Sequence, residues 1–380
     1  MPDFQPGCLS RRQIDDLHLF LDQGWCDPSR LSDLEGCGPV SMLEAKLVAA
    51  FGSRYALAVS SGTAALHAAL LAAGVGSGDE VVVTSYTWPQ SMAPILFCGA
   101  IPVFADISPE TLTLDPDSVA SRIGPRTRAI VVVQIFGHMA DMARLQDLAR
   151  SRGLTLIADA AHAPGAQLGG KPVGAWGDMV CLSFGRGKAV SAGEGGALLV
   201  NHDHLYEQAL RMTQHTLRVL RALGPSAAKS AFGLNYRLHP LLACLTMSSL
   251  EELPECLMWR EQNRQEAAGR LSHIPGLRLQ ASIPSCQPAP YGLALTADSD
   301  AARGMALRMA HHRGIPLQPG PVGQPLHLRL HADPEARHRW HSSHSTGSCP
   351  VAEKRCREQE LWLSALDLDA IEPARAVLSG

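Results

Sequence analysis

The sequence predicts an α/β protein built on a mostly parallel, seven-stranded sheet, and three observations carry that prediction. Seven short apolar runs lie between Arg54 and Asn201: YALAV, EVVVTS, IPVFADI, RAIVVVQIF, LTLIADA, DMVCLSF and GALLV. Each is apolar throughout instead of alternating, which is the pattern of strands buried on both faces. Helical stretches separate them, among them Thr63 to Ala73, Trp88 to Cys98 and Ala140 to Arg152, spaced as in βαβ units.

Past Asn201 the strand pattern stops, and a mostly helical region runs from His204 to about Leu271. A smaller mixed segment follows, in which YGLALTA reads as a strand, DAARGMALRMAHHRG as a helix and GIPLQPGPVGQPLH as turns. A chain of 380 residues has room for two domains. We place the large one over residues 1–250, including an N-terminal arm, and a smaller α/β domain over 251–380.

Composition narrows the function mainly by exclusion. A net charge of −3, with 46% hydrophobic and 18% charged residues, points to neither a nucleic-acid nor a membrane partner. The segment MPDFQPGCLSRRQIDDLHLFLDQGW lacks a basic stretch followed by an apolar one, and no apolar run reaches the roughly 18 residues of a membrane span. A cytoplasmic protein is expected. The ten cysteines form no C-x-x-C pair, which suits reduced thiols used as small core residues. Histidines cluster between His311 and His344, ending in HRWHSSH, but no acidic or cysteine partner falls at the spacing of a zinc motif. That segment is expected to be an exposed polar loop, and no metal is expected.

The stretch SFGRGKAVSAGEGGALLV, residues 183–200, sets Lys188 among glycines. A nucleotide phosphate loop needs glycine six residues before the lysine and a hydroxyl after it, whereas Leu182 and Ala189 stand there. The dinucleotide fingerprint also fails, because GRG opens no helical pattern and lacks the third glycine. A lysine can act covalently instead, forming a Schiff base with a carbonyl when its surroundings keep it partly neutral. Pyridoxal phosphate is the commonest such aldehyde, and it needs an acid for its ring nitrogen, a flat neighbour and donors for its phosphate.

Candidates for each part lie upstream. Asp159 ends the strand-like LTLIADA, where open α/β sheets bind ligands, though an aspartate there also serves as a helix cap. In SSGTAAL, Gly62 and Thr63 open a helix whose first amides can receive a phosphate. Trp88 in TSYTWPQS follows another strand end and is either a stacking partner or a core residue, and Ser183 offers a further hydroxyl.

In order and spacing, SGTAAL, GDEVVVTSYTW, GAIPVFADI, DAAHAPGA, GDMVCLSFGRGK and GEGGALLV resemble the DegT/DnrJ/EryC1 family of pyridoxal-phosphate-dependent sugar aminotransferases, as do GLNYRL and CPVAEKRC. The resemblance implies the aspartate aminotransferase (type I) fold, with Lys188 as the Schiff-base lysine and Asp159 on the pyridine nitrogen. It also implies His162 beside the phenolic oxygen, Gly62, Thr63 and Ser183 at the phosphate, and Trp88 against the ring. Asn235 in GLNYRL would reach the phosphate of a neighbouring subunit, so a homodimer with shared sites is implied. Family members with histidine in place of the lysine remove a hydroxyl; the lysine retained here implies transamination through pyridoxamine phosphate. SAGEGGA and CPVAEKRCREQELWL look similar to the branch that aminates cyclitol ketones with glutamine, and to aminohydroxybenzoate synthases. The implied reaction moves an amine from glutamine or glutamate to a cyclitol or sugar ketone, as in aminoglycoside-type or other secondary-metabolite biosynthesis. Nucleotide-linked keto-sugar transfer, or a dehydratase or aromatising synthase on the same fold, are the alternatives.

Overall fold

The computed structural model describes residues 9–25, 27–339, 345–364 and 367. Helix α1 (Arg11–Phe20) begins in a reciprocal cap between Ser10 and Gln13, and α2 (Gly38–Phe51) packs Leu43, Leu47 and Phe51 inward. The expected seven strands then form: β1 (Tyr55–Val59), β2 (Glu80–Thr84), β3 (Ile101–Ala105), β4 (Thr127–Val133), β5 (Thr155–Asp159), β6 (Met179–Ser183) and β7 (Gly196–Val200). They make one sheet in the order β1-β7-β6-β5-β4-β2-β3, in which β7 runs antiparallel to both neighbours and every other pair is parallel. Their continuous apolar sequences are explained by burial on both faces, with Leu57, Val82, Ile130 and Leu198 inaccessible to solvent.

Helix α3 (Gly62–Ala72) follows β1, and α4 (Met142–Arg152) follows β4. The single helix expected over Trp88 to Cys98 is replaced by a 3₁₀ turn, Pro89–Ser91, and a separate helix, Ala93–Phe97. Pro89 and Pro94 each sit in a first helical turn, where a missing N–H costs nothing, and the chain restarts at each of them.

The region beyond β7 is helical as expected, with α5 (Asp203–Thr213), α6 (Thr216–Leu223), α7 (Pro240–Glu251) and α8 (Leu253–Leu271). A second, antiparallel sheet is made by β8 (Leu277–Leu279), β9 (Leu293–Ala297), β10 (Gln318–Pro319) and β11 (Glu360–Leu363), in the order β8-β9-β11-β10. Alternation along β11 sends Leu361 and Leu363 toward α9 (Asp300–His312), while Trp362 joins the core of the large sheet.

The exposed loop expected around the histidines is not what forms. Helix α10 (Leu326–Ala332) buries Leu326 and Leu330, and His327 is fully buried with its Nε2 2.9 Å from Glu353 Oε1. A carboxylate 26 residues away supplies what the local sequence did not show. Residues 340–344 of HRWHSSH lie outside the described residues. Among the described residues, no helix is long and apolar enough to cross a membrane, and no group of three potential ligands is set to hold a metal.

Candidate active site

The parallel strands β2, β5 and β6 and the strand-to-helix turn after β1 all end at one edge of the large sheet, which is where an open α/β sheet forms its ligand crevice. A cavity of about 330 Å³ opens there, and Gly62, Thr63, Trp88, Asp159, His162, Ser183 and Lys188 all line it.

Asp159 lines the cavity as the last residue of β5 and is 6% exposed. Ser91 Oγ donates to its Oδ2 at 2.7 Å, and the Ala161 N–H donates to its Oδ1 at 3.1 Å. Burial nonetheless pushes the carboxyl up from its ordinary range, against the opposing effects of these two donors and of Lys188. Such a carboxylate has an unmet demand for a positive partner.

Lys188 stands on the loop leaving β6. The loop is pinned by a bridge between Gly185 and Gly193 and by the Lys188 N–H donating to the Gly185 carbonyl at 3.2 Å. From α8, Arg260 Nη2 donates to the Gly187 carbonyl at 3.1 Å. Burial brings the lysine down to about 8, assisted by Arg260 and resisted by Asp159. A reactive neutral fraction is therefore present near neutral pH.

At the wall formed by Ser61 and α3, Ser61 caps the helix by accepting from the Ala64 N–H at 3.0 Å. The first-turn residues Gly62 and Thr63 face the cavity opposite Ser183. A side chain at 62 has no room, since its Cβ would lie 2.8 Å from Ser183 Cβ. Gly196 likewise brings β7 against Ser61, where a Cβ would fall 2.5 Å from the Ser61 carbonyl carbon.

Trp88 meets His162 edge-on, with centroids 4.8 Å apart. His162 Nδ1 accepts from the Phe136 N–H at 3.4 Å, and burial holds the imidazole well below its usual range, with Lys188 adding to the effect. It is a neutral ring near pH 7. Asn235 lies apart: it is exposed, adopts φ 60°, accepts from Arg237 Nε at 2.8 Å, and does not line the cavity.

Sequence reasoning missed Ser91, Glu194, Arg260 and Tyr291. Ser91 was within reach of it, three residues after Trp88 in a string already singled out. Tyr291 was not, because it comes from the segment that leads into β9 of the second sheet.

Comparison with known proteins identifies the family. The family model described as the DegT/DnrJ/EryC1/StrS aminotransferase family matches residues 35–361. The chain is 38% identical over 215 residues to a GDP-perosamine synthase of Caulobacter vibrioides, a match covering 56% of either protein. It is 36% identical over 239 residues to an L-glutamine:2-deoxy-scyllo-inosose aminotransferase of Streptomyces kanamyceticus, covering 61% of this chain and 56% of the relative. The chain thus spans little more than half the length of these relatives. A crystal structure of 3-amino-5-hydroxybenzoic acid synthase superposes with a TM-score of 0.79 at 28% identity, covering 98% of this chain and 95% of that one. Structural neighbours are type I pyridoxal-phosphate aminotransferases, which is the expected fold class. The chain belongs to the DegT/DnrJ/EryC1/StrS aminotransferase family.

Proposed function

We propose that the protein is a pyridoxal-phosphate-dependent aminotransferase that moves an amine from glutamine or glutamate to the ketone of a cyclitol or sugar. One observation carries the reading: Lys188, lowered to about 8, and Asp159, a buried carboxylate, line one cavity. The cavity fits the cofactor in its donor set. Asp159 would hold the ring nitrogen, the first turn of α3 at Gly62 and Thr63 with Ser183 would hold the phosphate, and Trp88 and His162 would flank the ring. Lys188 would carry it covalently.

Bound there, the cofactor supplies an electron sink for the bond being broken at the donor carbon. Asp159, kept ionised by a positive partner, would hold the ring nitrogen's charge and so support that sink. Lys188, as a neutral amine, would take a proton from the donor carbon and deliver it to the cofactor within that half of the cycle, and would carry one from the cofactor to the acceptor carbon in the other half. Neutral His162 presents its Nε2–H while Nδ1 stays bound to the Phe136 amide.

Within this reading the active form is a homodimer in the cytoplasm, and the exposed Asn235 reaches into the partner's cavity. The smaller domain, 251–380, contributes Tyr291. Both a GDP-perosamine synthase and a scyllo-inosose aminotransferase stand among the relatives, so a nucleotide-linked keto sugar is the second acceptor class.

The test is Lys188→Ala with cofactor supplied. Loss of the visible absorbance of the bound cofactor and a fall in turnover of at least about 10³-fold are expected. A variant that keeps both overturns the assignment. A panel of keto-cyclitols and nucleotide-linked keto sugars, each with glutamine and glutamate, then separates the acceptor classes.

A further inference from the structure

The strands of the large sheet do not supply Tyr291. It precedes β9 and is joined to it by Gly292, whose φ is +105° and whose Cβ would lie 2.3 Å from the Trp362 ring. Only glycine fits that link. Trp362 in turn packs on Phe136 with centroids 4.4 Å apart, which fixes the second sheet against the large one. The second sheet therefore delivers one aromatic ring into a cavity otherwise built by the first.

In that cavity the Tyr291 ring lies flat on His162, with centroids 3.8 Å apart and planes 13° apart. On the other side, Lys188 Nζ is 4.6 Å from the ring centroid and 3.4 Å from the hydroxyl. We propose that Tyr291 is a positioning residue for Lys188, holding the amine over the cavity floor through its hydroxyl and shielding it from water with its ring. The proposal rests on the reading of Lys188 as the reactive amine.

A phenol suits this task because its oxygen accepts from an ammonium and its O–H donates to a free amine, so the contact survives each change of protonation. The ring face also attracts the ammonium form, while the ring's bulk removes water from it, and these effects oppose one another. The other groups facing the amine are Asp159 from β5, His162 after it, Arg260 through the Gly187 carbonyl, and Glu194 across the same cavity. None of these packs against Lys188 from the second sheet. Tyr291 is thus the residue through which that sheet reaches the amine.

The experiment labels cofactor-free protein with acetic anhydride across pH and quantifies the Lys188 peptide by mass spectrometry. Wild type should reach half-labelling near about 8. Tyr291→Leu, which opens that side to water, should move the midpoint up by about one pH unit toward the ordinary lysine value. In the holoenzyme, Tyr291→Phe should lower kcat several-fold with the donor KM unchanged, and Tyr291→Leu should lower it further, by up to about 10²-fold, the scale of a misaimed group. An unmoved labelling midpoint together with an unchanged kcat in Tyr291→Leu overturns the proposal. If that variant does not fold, an unchanged kcat in Tyr291→Phe overturns it instead. Failure of the underlying reading looks different, since it appears as turnover retained in Lys188→Ala.

Discussion

Asp159 and Glu360 are both buried carboxylates at strand ends, 6% and 1% exposed, but their surroundings treat them differently. Glu360 sits in a closed network. It accepts from the Tyr86 hydroxyl at 2.6 Å and from the amides of Val322 and Gly323 at 3.4 and 3.3 Å. The Tyr86 oxygen accepts from Arg355 Nε at 2.7 Å, and Arg355 also donates to Thr296 Oγ1 at 2.6 Å and the Leu295 carbonyl at 3.3 Å. Asp159 has one hydroxyl and one amide and faces a cavity that is also lined by a lysine that burial has made less basic. Burial alone therefore does not mark a reactive group. What distinguishes Asp159 is burial with incomplete compensation beside open volume, and that combination makes it available to a ligand.

Substitution should separate the two regions sharply. Asp159→Asn keeps the shape and removes the charge, so we expect kcat to fall about 10²-fold or more, with the thermal midpoint unchanged or raised. Steady-state kinetics beside a melting curve checks both. Arg355→Met should do the reverse. Breaking the buried network should cost about 3 kcal/mol or more of stability, read as a lower urea midpoint, while kcat per folded site stays near wild type. Asp159→Asn with full activity, or Arg355→Met with lost chemistry and intact stability, would break the comparison.

How each region reads in the sequence follows from the same contrast. The seven strands were legible because burial on both faces demands continuous apolar residues, and Asp159, Ser183 and the loop carrying Lys188 were legible because they end those strands. The segment over Trp88 to Cys98 was misread because apolar content outweighed Pro89 and Pro94. His327 was misread because its compensation by Glu353 is tertiary, and a polar histidine run gives no local sign of it. Tyr291 lies 103 residues from Lys188, so no window of sequence joins them. Networks assembled from distant segments, such as Tyr86 with Arg355 and Glu360, carry no pattern at all. Reactive groups at strand ends leave a local trace, whereas structural polar groups are satisfied by the fold.

The smallest expected effect concerns pH, and its sign differs between the regions. Lys188 drops from 10.5 to about 8 on folding, so between those values the unfolded chain holds the proton that the folded one has shed. Stability then rises with pH: this contribution is present above 10.5 and is lost as pH falls through about 8. Tyr86 moves the other way. Burial holds its hydroxyl well above 10.0, so the folded state keeps a proton that the unfolded chain releases above that value, and stability falls as pH rises further. Urea midpoints of cofactor-free protein, measured in steps from pH 8 upward, test this against Lys188→Met and Tyr86→Phe. Subtracting the Lys188→Met curve should leave a positive slope of at most about 1.4 kcal/mol per pH unit, already visible by pH 9. Subtracting the Tyr86→Phe curve should leave no slope below about pH 10 and a negative one above it. A flat or negative Lys188 slope would mean that the lysine is not held partly neutral by the fold, and the cavity would then lack the reactive amine that separates it from the closed network.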